Sequence, residues 1–204
     1  MIVPIGRWVM ETAVRQAAEW QQMGLRLRVS VNVSALQFQQ TDFVEQVAQC
    51  LSAAGLDADW LELELTESVL VQDANEALPR LFALHALGVH LAIDDFGTGY
   101  SSLSYLKKFP ISKLKIDRSF VTGLPEDESD RAIVGATIAM AHALKLTVVA
   151  EGVETVAQRD YLYGLACGAF QGYLYSPGVV AERLTEMARE RAPGSSLGDA
   201  ASAI

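Results

Sequence analysis

The chain has 204 residues, half of them apolar and a fifth charged, enough for one domain with a sizeable core and too few for two comfortable ones. Its formal net charge of −9 argues against a duplex-DNA or RNA binder, which needs a basic face for the phosphates, but leaves room for a small phosphorylated ligand held through bound cations. The two cysteines, Cys50 and Cys167, lack CxxC spacing, no signal-peptide pattern opens the chain, and the longest apolar run, Ala132–Ala141, suits a buried helix. A reduced, cytoplasmic protein without a membrane segment is expected.

Helices and strands alternate along the sequence. Ile5–Met23 reads as an amphipathic helix, with Trp8, Val9, Thr12, Ala13, Ala17 and Trp20 near one face and Gly24 closing it. The apolar run Leu27–Val33 follows as a strand and holds Asn32; helix Phe43–Ala54 then ends at Gly55. Strand Leu61–Leu65 carries Glu64, with Glu67 just beyond it, and helix Asn75–Leu87 stops at Gly88. Strand Val89–Ile93 gives way to the adjacent carboxylates Asp94 and Asp95, then to helix Ser102–Phe109, ended by Pro110. Strand Lys113–Ile116 brings Lys115 and Asp117 and precedes helix Glu128–Leu144. Strand Thr147–Ala150 stops at Glu151, with Glu154 close behind and helix Thr155–Leu165 after it. Ala169–Phe170 stops at Gln171, and helix Val180–Arg191 closes a domain spanning residues 1–191. The tail Ala192–Ile204, rich in Pro, Gly, Ser and Ala, reads as disordered.

Each strand thus ends in a carboxylate, an amide or a lysine. Parallel α/β folds keep their chemistry at those ends, and oxygen-rich ligand sets suit Mg²⁺ or Mn²⁺. Six βα units fall two short of an eight-stranded barrel, and acidic groups on every strand favour a ring converging on one site. The expectation is a modified TIM-type (β/α)8 barrel lacking about two N-terminal strands, with a doubly wound sheet as the alternative. In Asp94-Asp95, one carboxylate could bridge two cations while its neighbour holds the second. Gly97 and Gly99 then allow a tight loop. Blander roles exist for each residue: Asp94 and Asp95 as helix caps, Glu64, Glu67 and Glu154 as acids at helix starts, Lys115 as a surface lysine. His85, His90 and His142 read as packing or surface residues.

The most specific pieces are Asn-Val-Ser at 32–34, Glu-Leu-Thr-Glu at 64–67, Asp-Asp-Phe-Gly-Thr-Gly-Tyr-Ser-Ser-Leu at 94–103, Leu-Lys-Ile-Asp at 114–117, Ala-Glu-Gly-Val-Glu at 150–154 and Gln-Gly-Tyr at 171–173. In this order they resemble the EAL domain family, which hydrolyses cyclic di-GMP to the linear dinucleotide pGpG. The resemblance implies a two-cation phosphodiesterase site with Mg²⁺ or Mn²⁺. By that resemblance Asn32, Glu64 and Asp94 match ligands of the first cation, and Asp94, Asp95 and Glu151 those of the second. Lys115 matches the lysine beside the attacking water, and Glu67 the carboxylate that anchors the Asp-Asp-Phe-Gly loop. Asp117, Glu154 and Gln171 match groups that either support the metal ligands or contact the substrate. The Asp95–Leu103 loop and adjoining helices match a dimer contact; separately, six strands without two more leave open sheet edges, so a homodimer or a complementing chain is expected.

Two departures stand out. The Glu-Ala-Leu strand that names the family would precede Met1; the same letters at Glu76-Ala77-Leu78 fall inside a helix pattern. An N-terminally truncated barrel with impaired hydrolysis is therefore expected. Ser176-Pro177-Gly178 also stands where the family carries Ser-basic-Pro. A non-catalytic cyclic di-GMP-binding or regulatory module stays open, as does another metal-dependent barrel of enolase-like kind, for which Lys113-Leu-Lys115 supplies a lysine pair.

Overall fold

A computed structural model describes residues 1–72, 74–98 and 103–190. The tail from Ala192 onward and residues 99–102 of the glycine-rich loop, with the disorder and dimer-contact expectations attached to them, lie outside the described residues. The chain divides into two compact units, Met1–Ile93 with Gly99–Ser112, and Asp94–Thr98 with Lys113–Ile204.

In the first unit, α1 (Ile2–Gln22) begins three residues before the predicted start. Pro4 falls in its first turn, where backbone N–H groups have no intrahelical acceptor to lose. α1 packs on β1 (Val29–Val33) and on α3 (Phe43–Ala54), burying Met10, Val14, Ala17 and Trp20. Between β1 and α3 lies the short α2 (Ala35–Phe38), started by a reciprocal capping box in which Ser34 and Gln37 satisfy each other's backbone N–H groups. A 3-10 turn (Ala58–Trp60) leads into β2 (Leu61–Thr66), followed by α4 (Glu67–Gln72) and α5 (Ala74–Ala86). Glu76-Ala77-Leu78 indeed lies on this helix, away from any strand.

β3 (His90–Phe96) runs past its predicted end, so Asp94 and Asp95 lie within the strand. The predicted helix over 102–109 shortens to α6 (Leu103–Leu106), because the carbonyl of Tyr105 accepts from both Lys108 and Phe109 and closes the chain as a turn.

The second unit continues with β4 (Lys113–Ile116), α7 (Arg118–Val121), α8 (Glu128–Ala143), β5 (Thr147–Ala150), α9 (Val156–Gly164), β6 (Ala169–Phe170) and α10 (Ala181–Glu190). α8 packs on β4 and β5 and buries Val134, Ile138 and Ala141 there. Asp127 caps α8 through the N–H groups of Ser129 and Asp130. Thr155 and Gln158 form a second capping box at the head of α9.

The six strands follow one another in a single sheet in the order β1-β2-β3-β4-β5-β6. Pairing is parallel wherever its register is defined, from β1 to β2, β4 to β5 and β5 to β6. A doubly wound sheet reverses its strand order at a switch point; among the described residues the strands keep sequence order, as those of a β/α barrel do.

Alternation along the strands explains why their polar residues are buried. On β2, Leu61, Leu63 and Leu65 share one face and Glu62 and Glu64 the other, and all of them are buried. On β4, Leu114 and Ile116 share one face while Lys115 takes the other, 4% exposed. Helix ends repeat one device. After α1, α3, α5, α8 and α9 a residue accepts a left-handed backbone, and the N–H beyond it reaches back to the last turn. Gly24, Gly55 and Gly88 take that position at no steric cost, whereas Lys145 (φ 61°) and Ala166 (φ 60°) hold it with a Cβ.

Candidate metal centre

Asp94, Asp95 and Glu151 each place a carboxylate oxygen within 4.8 Å of the others. Asp94 and Asp95 come from the end of β3, and Glu151 directly follows β5, held there by its N–H donating to the Ile116 carbonyl at 3.1 Å. Neighbours on a strand point to opposite faces, so bringing both aspartates to one site requires a backbone departure. Asp95 supplies it with φ 54°, and Gly97 (φ 96°) completes the turn. The Asp95 carbonyl accepts from both the N–H and the hydroxyl of Thr98, and the Asp95 N–H donates to Asp94 Oδ1. The aspartates therefore take part in shaping this turn themselves.

Lys115 reaches into the same cluster from β4. Its Nζ lies 2.6 Å from Glu151 Oε1 and 3.1 Å from Asp94 Oδ1. One ammonium against three carboxylates leaves a local excess of negative charge. Burial, then Asp94 and Asp117, push the Asp95 carboxyl above its usual range, with Lys115 opposing them. Converging carboxylates with unbalanced charge suit a hard divalent cation, so the donor set fits the metal that the sequence suggests.

The first unit carries its own pair of strand-end groups. Asn32 on β1 stands in register with Glu64 on β2, the amide exposed and the carboxylate 6% exposed. Glu67 opens α4 and is likewise buried. Glu62 was missed by the sequence reading. It is fully buried one step below Glu64 and accepts from the Ser30 hydroxyl at 2.8 Å. The alternation Leu-Glu-Leu-Glu-Leu was the available signal, since it puts both glutamates on one face.

Asp117 follows β4 and caps α7, accepting from the N–H and the hydroxyl of Ser119. Glu154 pairs with Arg118 at 2.8 Å, while its own N–H donates to the Gln158 amide. Gln171 is exposed; its N–H donates to the Ala150 carbonyl at 2.8 Å and its carbonyl accepts from Val153. A Cβ on the next residue, Gly172, would overlap the Val153 backbone, so only glycine allows this approach. Of the predicted site residues, Asp94, Asp95, Lys115 and Glu151 thus form one cluster, and Asp117, Glu154 and Gln171 belong to the turns beside it. His90, read as a packing or surface residue, pairs with Asp59 at 2.6 Å.

The EAL domain family model matches residues 1–178. The chain belongs to the EAL domain family. Over 185 residues this EAL domain is 46% identical to the bifunctional diguanylate cyclase/cyclic di-GMP phosphodiesterase MucR of Pseudomonas aeruginosa, covering 90% of this chain and 27% of that protein. It thus spans about a quarter of that relative's length. The solved structure of the MucR phosphodiesterase in complex with c-di-GMP superimposes with a TM-score of 0.88 at 47% identity, covering 90% of this chain and 74% of the other. The calcium and manganese cyclic-di-GMP complexes of Klebsiella pneumoniae BlrP1 give TM-scores of 0.75 and 0.76 at 32% identity. They cover 83% and 84% of this chain, and 43% and 44% of theirs. Among the described residues no helix is long and apolar enough to cross a membrane.

Proposed function

We propose that this EAL domain is a phosphodiesterase that uses two Mg²⁺ or Mn²⁺ ions to open one phosphodiester of cyclic di-GMP, giving linear pGpG. The observation that carries the reading is the buried Lys115 ammonium set between Asp94 and Glu151, beside Asp95. Asn32, Glu64 and Asp94 are the proposed ligands of one cation, and Asp94, Asp95 and Glu151 those of the other. When bound, the cations supply electrophilic stabilisation of the phosphate charge and acidify the attacking water. Lys115 Nζ orients that water by hydrogen bonding, and its positive charge lowers the cost of proton loss to Glu151 or solvent. Water oxygen bonds to phosphorus in line with the departing ribose O3′, the P–O3′ bond breaks, and O3′ takes up a proton. Glu67 is the proposed anchor of the Asp-Asp-Phe-Gly loop at 94–97, and Asp117, Glu154 and Gln171 the groups that contact the dinucleotide or hold in place those that do.

The test is incubation with cyclic di-GMP and MnCl₂ or MgCl₂, with products separated by chromatography. Formation of pGpG that is abolished by EDTA and by Asp94→Asn supports the proposal. Cation-dependent binding without product identifies a non-catalytic receptor instead. Absence of binding sinks both.

A further inference from the structure

Arg118, which the sequence reading passed over, occupies a defined place beside the acidic cluster. It opens α7 directly after Asp117, and its Nη2 lies 2.8 Å from Glu154 Oε1. Its aliphatic stem crosses the backbone of Gly152, the residue joining Glu151 to Val153. A Cβ at Gly152 would overlap the Arg118 Cβ, Cγ and Cδ, and Gly152 also holds φ 66°, so this close approach requires glycine. The guanidinium is thereby held at both ends, by packing along its stem and by the Glu154 carboxylate at its head. It has five N–H donors, more than one carboxylate oxygen can take, and its side chain remains 59% exposed.

We propose that Arg118 is a substrate-specificity residue that binds the second phosphodiester of a cyclic dinucleotide, the one the cations do not take. This inference rests on the reading of the site as a cyclic dinucleotide phosphodiesterase. The charge argument is direct. The acidic cluster can take one phosphate only through cations, while the substrate's other phosphate brings a further negative charge to a chain of net charge −9. Among the turns after β4 and β5, Arg118 is the cationic residue seated beside Glu151; Asp117 and Glu154 around it are acidic. A planar guanidinium matches two phosphate oxygens, and its seat against Gly152 lowers the entropy lost when it binds them. Glu154 acts here as a positioning residue, because its carboxylate fixes the direction of the guanidinium.

Titration calorimetry with Ca²⁺ present, the cation of one neighbour's cyclic-di-GMP complex, tests the assignment. Cyclic di-GMP is compared with GMP, whose single phosphate is the one the cations take. Arg118→Ala should weaken cyclic di-GMP binding at least tenfold and change GMP binding less than twofold. Arg118→Lys should recover part of the loss, and Glu154→Gln should weaken cyclic di-GMP alone by a few-fold. Equal losses for both ligands would make Arg118 a structural residue and overturn the inference, as would unchanged cyclic di-GMP binding. If the unsubstituted protein bound GMP but not cyclic di-GMP, the reading of the site would fall, and this inference with it.

Discussion

Lys115 Nζ lies 2.6 Å from Glu151 Oε1, and the same ammonium lies 3.1 Å from Asp94 Oδ1. A buried cation between two carboxylates limits their mutual repulsion, so Asp94 and Glu151 stay assembled through a group the chain itself supplies.

Lys115→Met removes that charge and keeps most of the volume. Taking one partner from a buried ion cluster costs roughly 3–5 kcal/mol. Urea unfolding in EDTA should show a loss of this order, and MnCl₂ should recover part of it by neutralising the same carboxylates. A loss below about 1 kcal/mol with no response to Mn²⁺ would show that the ammonium does not hold the cluster.

Asp95→Asn should act oppositely on the metal-free protein and on metal binding. The Asp95 carboxylate is crowded by Asp94 and Asp117, so its removal should leave the melting temperature in EDTA unchanged or higher. Mn²⁺ affinity, measured by calorimetry, should fall at least tenfold, about 1.4 kcal/mol, because a ligand charge is gone. A variant that binds Mn²⁺ as well as the parent would remove Asp95 from the ligand set.

Lys145 and Ala166 hold left-handed backbone positions that glycine occupies after α1, α3 and α5. Replacing either with glycine relieves the Cβ clash but gives the unfolded chain more freedom. The first effect is larger, so Ala166→Gly should raise stability by about 0.5–1 kcal/mol in denaturant titration, and Lys145→Gly by a similar amount. A decrease at both sites would mean that the end geometry carries no strain.

The surface pair Asp59–His90 gives a pH-dependent prediction. The hydrogen bond with His90, and after it the charge of Arg28, hold the Asp59 carboxyl below its ordinary 3.8. A depressed carboxylate stabilises the fold above its unfolded value, and that contribution is lost as pH falls through the folded value. The urea midpoints of the parent and Asp59→Asn should therefore differ at pH 5 and draw together as pH is lowered below 3.8 through the depressed folded value. A gap that does not narrow at all as pH falls below 3.8 would assign the effect to packing.

Much of the fold and of the site is visible in the sequence because both are written as short periodic patterns. Leu61–Leu65 and Lys113–Ile116 alternate, so the strand and its inward polar residue are read together. Gly24, Gly55 and Gly88 mark helix ends through the one property that sets glycine apart. The ends after α8 and α9 carried no such mark, because Lys145 and Ala166 adopt the same geometry against their preference. The extension of β3 through Asp94 and Asp95 was hidden because its run turns acidic; the strand takes up both residues although Asp95 itself leaves the extended region at φ 54°. Arg118 escaped notice because its seat depends on Gly152, more than thirty residues away, a contact that no local pattern encodes.

The two capping boxes have a consequence for the order of folding. Ser34–Gln37 and Thr155–Gln158 close over only three residues, so each can form before any strand has found its neighbour. One starts the helix just after Asn32, the other the helix just after Glu151 and Glu154. Chain direction at these two rims is thus settled by contacts with almost no loop-closure cost, and the slow step is left to parallel strand pairing. Gln158→Ala should then slow refolding more than it speeds unfolding, placing part of the rim inside the folding nucleus.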